Sequence, residues 1–299
     1  MKAISLQAQV NKTHMFKIVD KRLLAPNIYL MDIEAPRVAR SAQPGQFVIL
    51  RVHEKGERIP LTICDYNADK GTVTIVTQVV GASSRLICAK EKGDFILDFV
   101  GPLGHPSEFI QQSAEELKKK KILFIAGGVG TAPVYPQLKW LHQHGAEADI
   151  IVGAKTKEML ILQDEIKAVA KNVYVATDDG SEGFKGLVTD LLRKLIDEDK
   201  KQYDEVIAIG PMVMMKFVAL TTKEYGIKTI VSLNTLMVDG TGMCGACRVS
   251  VGGKIKFTCV DGPEFDGHLV DFDEAMRRQA MYRDIERDAD CKCLADLTK

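Results

Sequence analysis

The sequence lacks an excess of charge of either sign. Lysine and arginine together number 40, aspartate and glutamate together also number 40, and the formal net charge of the 299-residue chain at pH 7 is zero. Proteins that bind nucleic acid usually carry a basic excess, because neutralising phosphates supplies much of the affinity. We therefore do not expect nucleic acid as a partner.

Long apolar runs are also missing. Hydrophobic residues make up 46% of the chain, but no stretch approaches the roughly 18 uncharged apolar residues of a spanning helix. The run 122–134 is too short and contains three glycines. The N-terminal sequence MKAISLQAQVNK has no apolar core of a secretory signal. We expect a cytoplasmic protein without membrane contact, and we treat residues 1–14 as a leader or an alternative start.

Residues 15–110 contain short apolar runs separated by turn sequences such as Pro44-Gly45 and Lys92-Gly93-Asp94. Strands bounded by such turns at close spacing are typical of an antiparallel barrel or sandwich. We predict strands within residues 28–33, 46–52, 72–80 and 94–100.

Residues 111–232 have a different rhythm, in which apolar strands alternate with amphipathic helices. This alternation predicts a doubly wound α/β domain with a parallel sheet. The predicted strands are 122–126, 149–153, 173–177, 205–209 and 228–233, and the predicted helices are 133–144, 158–170, 186–197 and 211–225. A further helix is predicted near 272–289.

The loop GGVGTAP, residues 127–133, follows an apolar strand and precedes a helix. Glycines there let backbone N–H groups approach a phosphate, and the positive end of the helix dipole favours the anion. The loop departs from the dinucleotide pattern GxGxxG. It is either a phosphate-binding loop or a tight packing turn.

Cysteine is unevenly distributed along the chain. Three of the seven cysteines, Cys244, Cys247 and Cys259, lie within 16 residues and follow Asp239 in the order D-x4-C-x2-C-x11-C. The plant-type [2Fe–2S] pattern is C-x4-C-x2-C with a fourth, distant cysteine, so aspartate stands at the first ligand position. A zinc site is the alternative, with His268 or the aspartate as the fourth ligand.

Two segments of the first domain carry weaker signals. In RIPLT, residues 58–62, an arginine suits a phosphate and a hydroxyl suits a ring nitrogen. In VVGASS, residues 79–84, the serines suit either a phosphate site or the N-terminus of a helix.

These segments, together with GPLG at 101–104 and IGPMVMM at 209–215, occur in an order that resembles the ferredoxin–NADP reductase superfamily with an appended [2Fe–2S] segment. Within it the chain is most similar to the small subunit of NADH-dependent ferredoxin:NADP oxidoreductase, an electron-bifurcating complex also known as sulfide dehydrogenase. It is also similar to the electron-transfer subunit of dihydroorotate dehydrogenase, in which a cysteine replaces Asp239.

The resemblance implies a division of the chain and roles for its residues. Residues 15–110 would form an FAD-binding barrel, 111–232 an NAD-binding domain, 233–270 a [2Fe–2S] segment, and 271–299 a C-terminal helix and tail. Residues of the barrel would hold FAD: Arg58, Pro60, Leu61, Thr62, Gly81, Ser83 and Ser84, with the catalytic Thr62 facing flavin N5. Others would hold the pyridine nucleotide: Gly127, Gly128, Gly130, Thr131, Gly210, Pro211 and Met214.

The implied function is electron transfer between NAD(H), FAD and the [2Fe–2S] cluster, whose ligands would be Asp239, Cys244, Cys247 and Cys259. NAD(H) is expected, although Lys155 and Lys157 could neutralise a 2′-phosphate. The dihydroorotate dehydrogenase subunit is the first alternative. A non-catalytic nucleotide-binding module with a structural zinc is an alternative from another class.

A partner subunit is also implied, one larger than this chain, with its own flavin and two [4Fe–4S] clusters, through which ferredoxin would be reached. The four cysteines outside the cluster pattern, Cys64, Cys88, Cys291 and Cys293, form no further cluster pattern. A narrow apolar stripe near the C-terminus either docks this partner or packs on its own chain. Its residues are Phe272, Ala275, Met276, Tyr282, Ile285 and Ala289.

Overall fold

The computed structural model describes residues 15–297. The predicted leader, residues 1–14, lies outside the described residues. Two large sheets and one small hairpin make up the strands of the described part.

The first sheet is an antiparallel barrel. Its strands are β1 (Phe16–Ala25), β2 (Ile28–Glu34), β3 (Phe47–Arg51), β4 (Ile59–Asn67), β5 (Thr72–Gln78), β6 (Phe95–Ile96) and β7 (Asp98–Leu103), with the helices α1 (Pro36–Ser41) and α2 (Ala82–Cys88). The strand order is β6-β1-β2-β5-β4-β3-β7. Because Leu97 alone separates the two edge strands along the chain, the sheet is nearly closed. The predicted barrel is confirmed.

The second sheet belongs to an α/β domain. Its elements are α3 (Ala114–Lys119), β8 (Ile122–Gly127), α4 (Thr131–Gln143), β9 (Ala148–Ala154), α5 (Gln163–Val169), β10 (Val173–Thr177), β11 (Phe184–Lys185), α6 (Val188–Asp197), β12 (Glu205–Ile209), α7 (Met212–Glu224), β13 (Lys228–Ser232) and, later in the chain, β16 (Glu264–Asp266). The order is β11-β10-β9-β8-β12-β13-β16, and all pairings are parallel except that of β16 with β13. The predicted parallel α/β domain is confirmed.

The order of this sheet reverses between β8 and β12. From β8 the chain proceeds outward through β9 and β10, and then returns to the other side of β8 with β12 and β13. In open α/β sheets, ligands bind at the carboxyl ends of the strands at such a reversal. The loop after β8 therefore lies at the favoured ligand position of this fold.

Residues 233–270, which we call the cysteine segment, pack on both sheets. They contain the hairpin β14 (Arg248–Val251) and β15 (Lys254–Phe257), the one-turn helix α8 (Thr258–Asp261) and strand β16. Since β16 joins the second sheet, the segment is continuous with the α/β domain, and the boundaries given above for the domains stay a prediction.

A small apolar core joins the cysteine segment to the barrel. Cys247 and Cys259 pack with Met237 against Phe47 and Ile49 of β3, all at most 7% exposed. Burial of such side chains contributes about 1.5–3 kcal/mol each. This core holds the two cysteines against the strand that pairs with β4.

The C-terminal region forms two helices, α9 (Phe272–Gln279) and α10 (Arg283–Leu297). The single helix predicted over 272–289 is therefore wrong in its bounds. The first half of the predicted apolar stripe packs on its own chain, since Phe272 and Ala275 are buried. Tyr282 and Ile285 in the second half are 50% and 68% exposed.

A bidentate ion pair fixes α10 on the barrel. Arg85 of α2 binds both carboxylate oxygens of Asp290 at 3.0 Å.

Within the part of the chain that the structure describes, no helix has the length and apolar character needed to cross a membrane.

The core between barrel and cysteine segment yields a testable expectation. Replacing Ile49 by Ala should lower the free energy of unfolding by about 2–5 kcal/mol and also expose Cys247 and Cys259 to a thiol reagent in the metal-free protein. Ile75→Ala is the matched control, because Ile75 is equally buried but belongs to the barrel's own core. Equal cysteine labelling rates in both variants, measured by mass spectrometry below the unfolding midpoint, would contradict this coupling.

Candidate functional site

The loop between β8 and α4 is open on the side where a phosphate would lie. Gly128 has a φ of +56°, and a Cβ placed on it would meet no atom within 4 Å. The Ncap residue of α4 is Gly130, whose absent side chain cannot cap the helix. The N–H of Thr131, the first residue of α4, already donates to the carbonyl oxygens of Gly128 and Val129, and Pro133 has no N–H. The loop therefore offers an anion the open face at Gly128 and the positive end of the helix dipole.

The other glycines of the predicted nucleotide site permit close packing of two strand ends. A Cβ on Gly130 would lie 2.2 Å from the carbonyl oxygen of Ile209, and one on Gly210 would lie 2.7 Å from Met214 Cε. Met214 Sδ likewise lies 2.4 Å from the Cβ position of Gly127. The structure thus brings the residues after β8 and after β12 together. Gly127, Gly130 and Gly210 permit packing, Gly128 faces open space, and the expected contact of these residues with a nucleotide stays a prediction.

Thr131 has a structural position within this loop. Its side chain is buried, and its hydroxyl donates a hydrogen bond to the carbonyl oxygen of Gly128 at 2.9 Å. This bond closes the turn and fixes the orientation of the loop. The expected contact of Thr131 with the nucleotide stays a prediction.

Charged residues after β9 and β10 lie farther along the same edge of the sheet. Lys157 forms an ion pair with Glu182 at 2.8 Å, which raises the pKa of Lys157. The loop 178–182 also contains Asp178 and Asp179. One of the two lysines that could have neutralised a 2′-phosphate is thus already paired with a carboxylate.

In the RIPLT segment Arg58 directly precedes β4, and the other four residues form the first part of this strand, beside β3. Thr62 lies opposite Phe47, and the next residue, Ile63, donates its N–H to the carbonyl oxygen of Gln46. Within the described residues, the hydroxyl of Thr62 forms no hydrogen bond. A half-buried hydroxyl without a protein partner fits a ligand contact.

Arg58 reaches the cysteine segment. Its Nε donates to the carbonyl oxygen of Val238 at 2.7 Å, and its Nη2 donates to that of Asp239 at 3.4 Å. The guanidinium therefore ties the start of β4 to the residue predicted as the first cluster ligand. Nη1 is the guanidinium nitrogen that takes no part in these two bonds. The expected contact of Arg58 with the FAD pyrophosphate stays a prediction.

The serines of VVGASS have unequal positions. Ser84 is buried, and its hydroxyl oxygen accepts hydrogen bonds from the N–H groups of Val80 and Gly81, so it stabilises the start of α2. Ser83 donates to a carboxylate oxygen of Glu57 and lines a cleft of about 200 Å³ that includes space open to solvent. Gly81 faces open space. Gly81 and Ser83 are therefore the accessible residues of this group.

Two of the four predicted cluster ligands meet. Cys247 Sγ and Cys259 Sγ lie 3.2 Å apart, and both side chains are buried. Burial and the hydrogen bond from Cys247 raise the pKa of the Cys259 thiol to about 12. A metal centre that binds these sulfurs must displace their protons, since thiolates are the ligands.

The other two predicted ligands, Asp239 and Cys244, lie on the loop before this pair. The Asp239 carboxylate accepts hydrogen bonds from the N–H groups of Thr241 at 2.8 Å and Cys244 at 3.0 Å, and the bond from Thr241 lowers its pKa most. In residues 15–297, no three His, Cys, Asp or Glu side chains already converge on one point.

The donor chemistry and the loop fit a cluster. Three thiols occupy three of the four cysteine positions of the iron–sulfur pattern, and the carboxylate of Asp239, which can also bind iron, occupies the first. The glycines between them, Gly240, Gly242 and Gly245, all have positive φ, from +69° to +81°, so the chain curls tightly. Gly242 directs its backbone N–H to the thiol of Cys259, which is the kind of hydrogen bond that tunes cluster ligands.

His268, the alternative fourth ligand for zinc, has another partner. Its Nε2 forms a hydrogen bond with Thr222 Oγ1 of α7 at 3.1 Å.

Among the remaining cysteines, Cys64 and Cys88 are buried, as their apolar neighbours in the sequence suggest, and burial raises the pKa of both thiols. Cys291 and Cys293 lie on α10.

Sequence reasoning missed the polar link between the barrel and α4. Lys139 Nζ lies 2.8 Å from both carboxylate oxygens of Asp65, three residues after Thr62. The two residues are 74 positions apart in the chain. No sequence pattern therefore indicates that their opposite charges pair. This pair orients the nucleotide-binding helix relative to β4.

Two family models match the chain. One, described as the iron–sulfur cluster binding domain of dihydroorotate dehydrogenase B, covers residues 234–271, and the other, an oxidoreductase NAD-binding domain, covers residues 124–220. They confirm the predicted oxidoreductase class with an NAD-binding domain and an iron–sulfur domain. Together with the solved structures of similar fold described below, they also confirm the predicted cofactors FAD, NAD(H) and [2Fe–2S]. The structural-zinc alternative receives no support from them.

Curated relatives match over nearly the whole chain. A Thermotoga maritima protein named dihydroorotate dehydrogenase B (NAD(+)), electron transfer subunit homolog, is 48% identical over 275 residues, which are 92% of this chain and 94% of the relative. The Fusobacterium nucleatum dihydroorotate dehydrogenase B (NAD(+)), electron transfer subunit, is 32% identical over 81% of this chain and 92% of its own length. An uncharacterized protein of Clostridium beijerinckii is 61% identical over 91% of this chain and 92% of its own.

One similar solved structure is that of an NADH-dependent reduced ferredoxin-NADP oxidoreductase, which was studied for flavin-based electron bifurcation. Its sequence is 46% identical to this one, the alignment covers 93% of this chain and 97% of the solved chain, and the TM-score is 0.85. Phthalate dioxygenase reductase, 15% identical with a TM-score of 0.54 over 79% of this chain and 86% of its own, shares the fold. The chain therefore belongs to the family of dihydroorotate dehydrogenase B electron transfer subunits and their homologues, within the ferredoxin–NADP reductase superfamily.

Proposed function

We propose that this chain is the electron-transfer subunit of a flavin-based, electron-bifurcating ferredoxin:NADP oxidoreductase. Its likeness to the structure of such an enzyme, 46% identical over 93% of the chain, supports the assignment. The chemistry of the bound groups, hydride exchange between NAD(H) and FAD and single-electron exchange between FAD and the cluster, belongs to the cofactors. The chain binds these groups and orients them.

One observation carries the proposal. The cysteine pair Cys247 and Cys259 shares a core with Phe47 of β3, and Phe47 lies directly opposite Thr62 on β4. The residue proposed to face the flavin is thus one strand away from the proposed cluster ligands. A binding module with a structural zinc has no need of this proximity, whereas electron transfer requires it.

The residues of the barrel have distinct proposed roles. Thr62 offers its free hydroxyl to the flavin N5 edge, while Pro60 and Leu61 hold the adjacent backbone extended. Gly81 and Ser83 offer an accessible turn to the FAD phosphates. Ser84 acts by stabilising that turn, and Arg58 joins the FAD site to the cluster loop through the carbonyl groups of Val238 and Asp239.

The nucleotide loop and its neighbours hold NAD(H). Gly128 leaves space for the pyrophosphate, and the positive end of the α4 dipole favours its charge. Gly127, Gly130 and Gly210 allow Pro211 and Met214 to close against the loop. Pairing of Lys157 with Glu182 reduces the positive charge available to a 2′-phosphate. This arrangement favours NAD(H) over NADP(H).

The partner is a larger subunit with its own flavin and two [4Fe–4S] clusters, through which electrons reach ferredoxin. The relatives' names support a subunit of a complex. Around the exposed Cys244 lie apolar side chains that are also exposed, with Val238 at 53%, Met243 at 88% and Val260 at 39%. We propose that the partner covers this patch and the exposed Tyr282 and Ile285.

The electron-transfer subunit of a dihydroorotate dehydrogenase is the second candidate function. The names of several relatives, such as that of Fusobacterium nucleatum at 32% identity, favour it. Reconstitution with each kind of large subunit, followed by assays of dihydroorotate oxidation and of ferredoxin reduction, distinguishes the two functions.

The isolated, cofactor-loaded chain should reduce an artificial dye with NADH but should not reduce ferredoxin with NADPH. The reason is that its cysteines provide one cluster pattern only. Steady-state assays of the homogeneous chain test this. NADPH- and NAD-dependent ferredoxin reduction without a second subunit would disprove the two-subunit proposal.

Replacing Gly128 by Val should weaken NADH binding and slow flavin reduction at least tenfold, because the side chain fills the space left for the pyrophosphate. Stopped-flow absorbance near 450 nm measures the rate. Gly226→Val is the matched control: its φ of +67° and open surroundings impose similar strain, but it follows α7 at the end far from the loop. Equal rates in the two variants would exclude the loop as the nucleotide site.

Replacing Asp239 by Ala should cause loss of the cluster or make it labile while FAD stays bound, since a carboxylate ligand is removed. Iron and sulfide analysis and the EPR spectrum of the reduced protein measure this. Asp273→Ala is the control, because Asp273 binds only Lys216 on the surface. If iron content and EPR spectrum are the same in both variants, Asp239 is not a ligand.

A further inference from the structure

Glu264 lies where four parts of the chain meet. It opens β16, five residues after Cys259. We call residues 104–113, between β7 and α3, the linker. Glu264 Oε1 accepts a hydrogen bond from Ser107 Oγ of the linker at 2.8 Å and another from Gln137 Nε2 of α4 at 2.9 Å. The barrel also approaches this atom, because a Cβ on Gly45 would lie 3.1 Å from it.

The carboxyl group has no cationic partner among residues 15–297. Its charged neighbours are Glu108 on the linker and Glu205 on β12, and Lys228 binds both of these, at 3.2 Å and 3.1 Å. From α4 and the barrel turn it meets the neutral Gln137 and Gly45. Burial, together with repulsion from the two glutamates, raises the pKa of Glu264 to about 7.

Gln137 presents the complementary feature. Its side chain is fully buried, and its Oε1 has no hydrogen-bond partner in the described structure. Buried amide oxygens are almost always paired, because an unpaired one costs about 1–3 kcal/mol. A protonated carboxyl group can donate to an amide oxygen while its other oxygen accepts from the amide nitrogen. A proton on Glu264 would therefore supply the donor that Gln137 lacks.

We propose that Glu264 is a positioning residue that binds Gln137 through a protonated carboxyl group, and that this pair holds the nucleotide-binding helix against the linker and the cysteine segment. The inference rests on the proposed function, since it concerns how NADH and flavin are aligned.

The consequence for the reaction follows from the elements that Glu264 joins. Helix α4 begins at the nucleotide loop, and the turn at Gly45 precedes Gln46, whose carbonyl oxygen binds the backbone next to Thr62. Glu264 thus contacts the helix that follows the proposed NADH loop and also the barrel turn that leads to the proposed flavin contact, Thr62. A misplacement of about 1 Å can slow a reaction up to about 100-fold, so loss of this pair should slow flavin reduction.

The test compares three forms of the cofactor-loaded protein between pH 5.5 and 8.5. Glu264→Gln keeps both hydrogen bonds to Gln137, because an amide donates and accepts without titrating. Glu264→Leu removes both. At saturating NADH, flavin reduction by the wild type should slow severalfold as pH rises through about 7, the Gln variant should lack this decline, and the Leu variant should be about tenfold slower throughout. The apparent Kd for NADH should change less than the rate.

Thermal unfolding provides a second readout with a defined sign. Because the pKa of Glu264 is raised from 4.5, this group binds more protons in the folded than in the unfolded chain between pH 4.5 and about 7. Its contribution to the free energy of unfolding therefore falls with rising pH in this window. The difference in Tm, Gln variant minus wild type, should therefore grow from pH 4.5 to 7 and then stay constant.

Each outcome decides a separate point. If Glu264→Gln retains the decline of the wild type and the Tm difference is independent of pH, the proton is not on Glu264 and the proposal fails. If Glu264→Leu folds and reduces flavin at the wild-type rate, the positioning role fails; if it does not fold, Gln137→Leu replaces it with the same criterion. Glu108→Gln, which leaves the hydrogen bonds of Gln137 in place, should keep the decline but move it to lower pH, because one charge that repels the Glu264 carboxylate is removed. Absence of NADH-dependent flavin reduction in the wild type overturns the proposed function instead, and the Tm comparison still decides the proton's place.

Discussion

The packing of Cys247 and Cys259 against β3 is the contact on which the arrangement of the site depends. It places two sulfurs of the iron–sulfur domain in one core with Phe47 and Ile49, and through Phe47 it places them one strand from Thr62. Gly240 contributes to this contact, since it has a φ of +78° and a Cβ there would lie 2.6 Å from Ile49 Cδ1 and 2.9 Å from Leu103 Cδ1. The missing side chain lets the cluster loop approach the barrel without displacing these two side chains.

The nucleotide side of the molecule obeys a different constraint. At the reversal of strand order between β8 and β12, two strand ends approach so closely that Gly130 would clash with the backbone of Ile209 if it carried a Cβ. Gly128, two residues earlier, faces open space at positive φ. A motif read as one unit in the sequence thus divides into glycines that permit packing and one that permits ligand approach.

The sequence predicts the barrel, the parallel sheet and the cysteine pattern because each has a local signal, in period, in turn residues or in spacing. It does not predict which side chains are already engaged. Ser84 caps its own helix, Arg58 binds backbone carbonyl groups, and Thr131 closes its own turn, and each could equally have faced a ligand. The partnership of Glu264 with Gln137 joins residues 127 positions apart in the chain, so no local pattern indicates it.

The contacts between the parts of this chain also limit how the parts can move. Barrel residues such as Ile28 and Leu30 belong to the same apolar core as Phe124 and Leu138 of the α/β domain, whereas domains that move freely share small and polar interfaces. The ion pair of Asp65 with Lys139 and the pair of Glu264 with Gln137 fix α4 from two further sides. An apolar core resists separation of the two domains but tolerates small sliding, while hydrogen bonds depend on direction and resist sliding. The polar pairs therefore supply the lateral precision that hydride transfer between two separately bound groups requires.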